Sequence, residues 1–126
     1  MRIAPGVMIL ALLAAPGFNA QAQTAAAPAG TQLAAAQGKP YDLVANCLMK
    51  QMAGQQFTAW PLVYAPPRHE AFVNLWVRGR DTDPPVAVFH VVQDSDGMTR
   101  VSFQQTPGAP GPRKGVAEAA AQRCLR

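Results

Sequence analysis

A chain of 126 residues with 11 basic and 7 acidic side chains, net +4, has room for one small core and excludes a multidomain protein. Its basic residues are spread along the chain, and only Arg78/Arg80 and Arg113/Lys114 cluster. The charge therefore favours weak attraction to anionic surfaces and excludes a dedicated nucleic-acid stripe.

Residues 1–22 read as a cleaved secretory signal. Arg2 supplies the positive start, residues 7–15 are an apolar run, and Ala20-Gln21-Ala22 places small residues at the cleavage positions. The run is too short to cross about 30 Å of hydrocarbon, and Pro16-Gly17 breaks it, so no membrane span is expected after cleavage. No cysteine follows the run and no Arg-Arg pair precedes it, which disfavours lipoprotein processing and twin-arginine export. The expected location is periplasmic or secreted. The mature chain keeps ten basic and seven acidic residues, net +3.

Residues 23–38 are rich in Ala, Gln and Gly, with Leu33 the one bulky apolar side chain. Such a stretch buries too little surface to offset its ordering entropy and reads as a flexible leader. The folded unit is expected over 39–126, as one αββββα domain.

The first helix starts near Pro40, whose missing N–H costs nothing there, with Asp42 at the positive end of the helix dipole. Leu43, Val44, Cys47, Leu48 and Met52 recur at helical spacing as one apolar stripe, and Ala53-Gly54 ends it. Four strands follow. Residues 57–64 carry aromatic and β-branched side chains interrupted by Pro61, which marks an edge strand or two short pieces. Residues 70–78 alternate cleanly, with Ala71, Val73, Leu75 and Val77 on one face and Phe72, Asn74, Trp76 and Arg78 on the other. Residues 86–94 and 98–106 form a hairpin about Ser95-Asp96-Gly97, a three-residue loop with glycine at its left-handed position. That loop pairs Val91 with Val101, Phe89 with Phe103, His90 with Ser102, Val92 with Arg100 and Val88 with Gln104. This register segregates apolar from mixed faces better than a one-residue shift would. Residues 106–112 hold three prolines and can be neither helix nor central strand. The last helix runs from about Arg113 to Leu125, with Val116, Ala119, Ala120 and Cys124 as its inward stripe and Arg123 at its negative end.

The fold expected is α+β. A helix, a four-stranded antiparallel meander and a second helix form a single domain, with both helices on one sheet face. Cys47 and Cys124, the only two cysteines, sit near its two ends. In an exported chain they read as one disulfide stapling the helices. Edge pairing of the fourth strand could make a dimer.

Chemistry is sparse. Two histidines and two cysteines lack His-x-x-x-His or Cys-x-x-Cys spacing, so neither a metal nor a cofactor is expected. The Asp-Ser-Asp-Gly tip at 94–97 has part of a calcium-loop spacing but lacks its later ligands and closing Glu. A hydrolase would rest on His90 opposite Ser102, with Glu70 or Asp94 orienting the imidazole, yet no nucleophile elbow or glycine-rich loop accompanies them. The better candidate is the mixed sheet face opposite the helices. Phe72, Trp76, His90 and Arg100 lie there with Val88 and Val92, and Trp60 joins them in one register of the first strand. The reading is a non-catalytic binding or accessory module for an envelope protein or small ligand. The alternatives are the His90/Ser102 hydrolase and a passive envelope component whose face is covered by the leader or the 106–112 loop.

Overall fold

The computed structural model describes residues 30–126, and the signal assigned to 1–22 lies outside them, as do residues 23–29 of the leader. Seven elements follow in order: β1 (Thr31–Gln37), α1 (Tyr41–Met52), β2 (Phe57–Val63), β3 (Glu70–Val77), β4 (Ala87–Gln93), β5 (Met98–Gln105) and α2 (Lys114–Cys124). The class is α+β with two helices on an antiparallel sheet, joined by a disulfide between Cys47 and Cys124 with Cα atoms 5.6 Å apart.

The sheet has five strands, not four, in the order β1-β5-β4-β3-β2. Strands β2 to β5 pair consecutively, and β1 adds antiparallel beside β5, so the C-terminal strand is not an edge. This corrects the flexible leader at residues 31–37. The physical reason is that β5 offers an open row of main-chain donors and acceptors, and an uncharged, proline-free segment satisfies them. Burial adds one anchor, since Leu33 enters the core while its alanines stay partly or fully exposed. At its start the strand presses close to β5: a Cβ on Gly30 would lie 2.4 Å from the Phe103 carbonyl oxygen.

The chain then leaves one sheet edge and returns at the other, and α1 makes that crossing over β4, β3 and β2. Pro40 sits just before the first helical residue, and its carbonyl accepts the Val44 N–H at 3.1 Å. The buried stripe is Tyr41, Val44, Ala45, Leu48 and Met52. Leu43, expected inside, is exposed, and Cys47 is only half-buried. The second helix is rotated more. It buries Ala117, Ala120 and Ala121, whereas Val116, predicted inward, is 52% exposed. The extra strand explains the rotation: α2 packs on β1 and α1, so its inward face is set by a neighbour absent from the four-strand expectation. The cysteines join the two helices and are both only partly buried.

The core lies between the helices and one sheet face. Val73, Leu75, Phe89, Val91 and Val101 are fully buried, and Phe89 packs on Phe103 with ring centroids 5.0 Å apart. The β4–β5 hairpin has the register expected from its loop, from Val88↔Gln104 to Val92↔Arg100. Gly97 adopts φ +87°, the left-handed conformation that loop demands, and its N–H donates to the Asp94 carbonyl at 2.9 Å.

Candidate functional site

The face away from the helices is built by residues that alternate with the core. Cross-strand registers arrange it in rows: Glu70–Val92–Arg100, then Leu62–Phe72–His90–Ser102, then Trp60–Asn74–Val88–Gln104, then Thr58–Trp76. Trp60 therefore shares this face with Phe72 and Trp76. It is 58% exposed and Leu62 beside it 50%, while Phe72, Trp76, Val88 and Val92 are half-buried. Among the described residues no helix covers this side.

The structure brings together part of the expected set. Phe72 and His90 are register partners, and their rings stack with centroids 4.4 Å apart and planes 7° from parallel. Arg100 lies one row further, donating from Nε to Asp94 Oδ2 at 2.9 Å. Trp76 stands four residues along β3 from Phe72, about 13 Å away at the rise of a strand. Its indole N–H donates to the Asp83 carbonyl at 2.9 Å, which ties it to the loop before β4. Phe72, His90 and Arg100 thus belong to one end of the face and Trp76 to the other.

Sequence reasoning named Glu70, alongside Asp94, as a carboxylate for His90, but missed Arg68 and Tyr64 at that first end. Glu70 Oε2 lies 2.5 Å from His90 Nε2, and Arg68 pairs with the other Glu70 oxygen. The Arg68 guanidinium also sits 3.8 Å above the Tyr64 ring, and Tyr64 meets Phe72 edge-on at 6.2 Å. Arg68, Tyr64, Phe72, His90 and Glu70 therefore close a circuit of contacts that holds the β2–β3 turn against the sheet. From the helix layer Tyr41 donates its hydroxyl to the Tyr64 carbonyl at 2.7 Å, and its ring meets His69 edge-on. The available signal was the Arg68/Glu70 pair of opposite charges two residues apart at the start of a strand, where both side chains point to one face.

Burial is the largest single influence on the Glu70 carboxyl and disfavours its charge. Hydrogen bonds from Arg68 and His90, with their charges, together outweigh it and hold the carboxyl below its usual range. A depressed carboxylate stabilises the fold at pH above its unfolded value and loses that contribution as pH falls through the folded value. Below about pH 4.5, the ordinary glutamate value, the wild type should therefore lose stability more steeply than Glu70→Gln. Parallel denaturation series at pH 3 to 7 check this, and coincident slopes would remove Glu70 as a contributor.

His90 and Ser102 are register partners, as the dyad requires. The serine is only 3% exposed, however, and His90 Nε2 faces Glu70. At the hairpin tip, Asp96 Oδ1 accepts the Met98 N–H at 3.0 Å and Asp94 accepts Arg100, both ordinary turn and surface contacts. Among the described residues no group of three or more His, Cys, Asp or Glu is placed to hold a metal ion. None of their helices is long and apolar enough to cross a membrane.

An open cleft of about 920 Å³ lies elsewhere, between the end of α1 and the proline-rich loop before α2. Gln51, Gln55, Gln56, Arg78 and Arg113 line it with no acidic side chain, and none of the predicted site residues enters it. Comparison with protein-family models, with curated proteins and with solved structures finds no match to this chain.

Proposed function

We propose that this protein is a small exported, non-catalytic binding module that docks a partner protein on the helix-free face of its sheet. The observation that carries the reading is the pair Trp60 and Leu62, large and half or more exposed, continuous with Phe72, Val88 and Trp76 in one patch on the sheet. Charge pairs rim the patch at Arg100–Asp94 and Arg68–Glu70, the usual arrangement of an apolar centre within a polar border. The face is a broad sheet surface built by alternate residues of four strands, which suits a flat protein partner better than a small ligand enclosed in a pocket. The intramolecular disulfide accords with an oxidising compartment.

The hydrolase alternative loses support because a serine as buried as Ser102 is poorly placed to attack a group arriving from solvent. A passive envelope component would leave Trp60 without a role.

Trp60 is the better anchor to test than Trp76, whose indole braces a loop. Trp60→Ala should weaken capture of the envelope partner by about 2–4 kcal/mol, the range of an aromatic hot spot, with little change in melting temperature. The oxidised protein and the variant are to be compared as baits in envelope extract, followed by titration of whatever the wild type retains. Equal retention by both baits would refute the face as the docking surface.

A further inference from the structure

The two edges of the sheet are built differently. At the β2 edge, the Tyr64 N–H donates to the Glu70 carbonyl and the Arg78 N–H to the Gln56 carbonyl. Even-numbered positions of this strand thus bond to β3, and odd-numbered ones face outward. Pro61 is odd-numbered. It deletes a donor from the free edge, a common guard against pairing with another chain.

The β1 edge lacks that guard. The Gly38 N–H donates to the Gly97 carbonyl at 2.9 Å, so Gly38, Ala36 and Ala34 face β5 while Ala35 and Gln37 turn their main-chain groups outward. Strand β1 is seven residues long and contains neither proline nor charge. A bulge between Gln32 and Ala34 interrupts only its first part.

We infer that this edge pairs with the β1 edge of a second copy of the chain, antiparallel about Ala35, to make a two-fold dimer. Three observations select that occupant. In this pairing Ala35 faces its own copy and Ala34 faces Ala36, so small side chains meet at the two-fold, and a strand without charges sets no like charges against each other. The strand has little intrinsic support, being Ala- and Gln-rich with Leu33 its one core residue, so bonds on its second side add most where the monomer holds least. Finally, pairing uses the β1 edge of both copies and leaves only the Pro61-guarded edges outside, so assembly stops at two. The fourth predicted strand, β5, is already covered by β1 and is not the pairing edge.

Sedimentation velocity across a concentration series, with residue-resolved amide exchange, tests this on the purified oxidised protein. A dimer is expected, with the Ala35 and Gln37 amides protected at high concentration and released on dilution. Ala34 and Ala36, already facing β5, should stay protected in both. Ala35→Pro places on β1 the device that Pro61 provides on β2. It should weaken association at least about tenfold while the circular dichroism stays that of the wild type. Should proline melt the strand, Ala35→Lys supplies the edge charge instead and should have the same effect on association. A wild type that stays monomeric at its highest soluble concentration overturns the proposal. So does a dimer that survives both substitutions, or one that dissociates only with Trp60→Ala.

Discussion

Removing the disulfide, by Cys47→Ser with Cys124→Ser, should lower unfolding stability by about 4–5 kcal/mol. The bond joins positions 77 residues apart, and the loop-entropy relation gives that figure for a closed loop of this length. A described unit of under 100 residues has about 5–15 kcal/mol of net stability to lose from. The melting temperature should fall on the order of 20 °C. The bond also ties α1, which covers β2 to β4, to α2, which covers β1. Its loss should therefore loosen the β1 side first, because the buried residues of α2 are all alanines, with Leu125 the one large anchor beyond them, and Leu33 is the one large core side chain on β1. Thermal melts of the oxidised wild type, the reduced wild type and the double serine variant check the magnitude. Amide exchange on β1 checks the order. A loss below about 1 kcal/mol would show that the two helices hold without the bond.

The second large effect is expected from Phe89→Ala. Phe89 has no exposed surface, sits on the central strand β4 and packs against Phe103 from β5. Truncating a buried phenylalanine removes its transfer free energy and leaves a cavity that neighbours fill only partly, at a cost of about 3–5 kcal/mol. Its neighbours across the registers are Val73 and Phe103, both on strands fixed by pairs on either side, so collapse into the gap is limited. Denaturant unfolding at constant slope measures the loss. A cost under about 1 kcal/mol would mean that the layer over β4 is looser than the packing implies. The contrast with Trp60→Ala is informative, because the exposed tryptophan should affect binding and hardly touch stability.

Much of the domain was legible because certain residues leave the backbone little choice. Gly97 in a three-residue loop set the β4–β5 hairpin, and one register alone put Phe89, Val91, Val101 and Phe103 on a common face. Pro61 marked an edge because it cannot donate to a ladder, and β2 is an edge. Alternation in β3 put Phe72 on the same face as His90, and the β3–β4 pairing then set them side by side. Less of the candidate site could be read. The circuit through Tyr64, Arg68 and Glu70 depends on how the β2–β3 turn folds back on the sheet. Whether Trp60 shared a face with Phe72 turned on a strand register that no short loop fixed.

By itself, then, the sequence determined those features whose cause is local: periodicity, turn chemistry, the proline at an edge and two cysteines that had only each other to join. The tertiary structure alone decided β1, the rotation of α2 and the pairing of Arg68 with Glu70. For β1 the physical reason is that an alanine-rich segment has weak preferences of its own, and the open main-chain row of β5 supplied the partner that made it a strand. Once that strand was added, the second helix rested on it and turned Val116 outward, a consequence of neighbours that lie far apart in the chain.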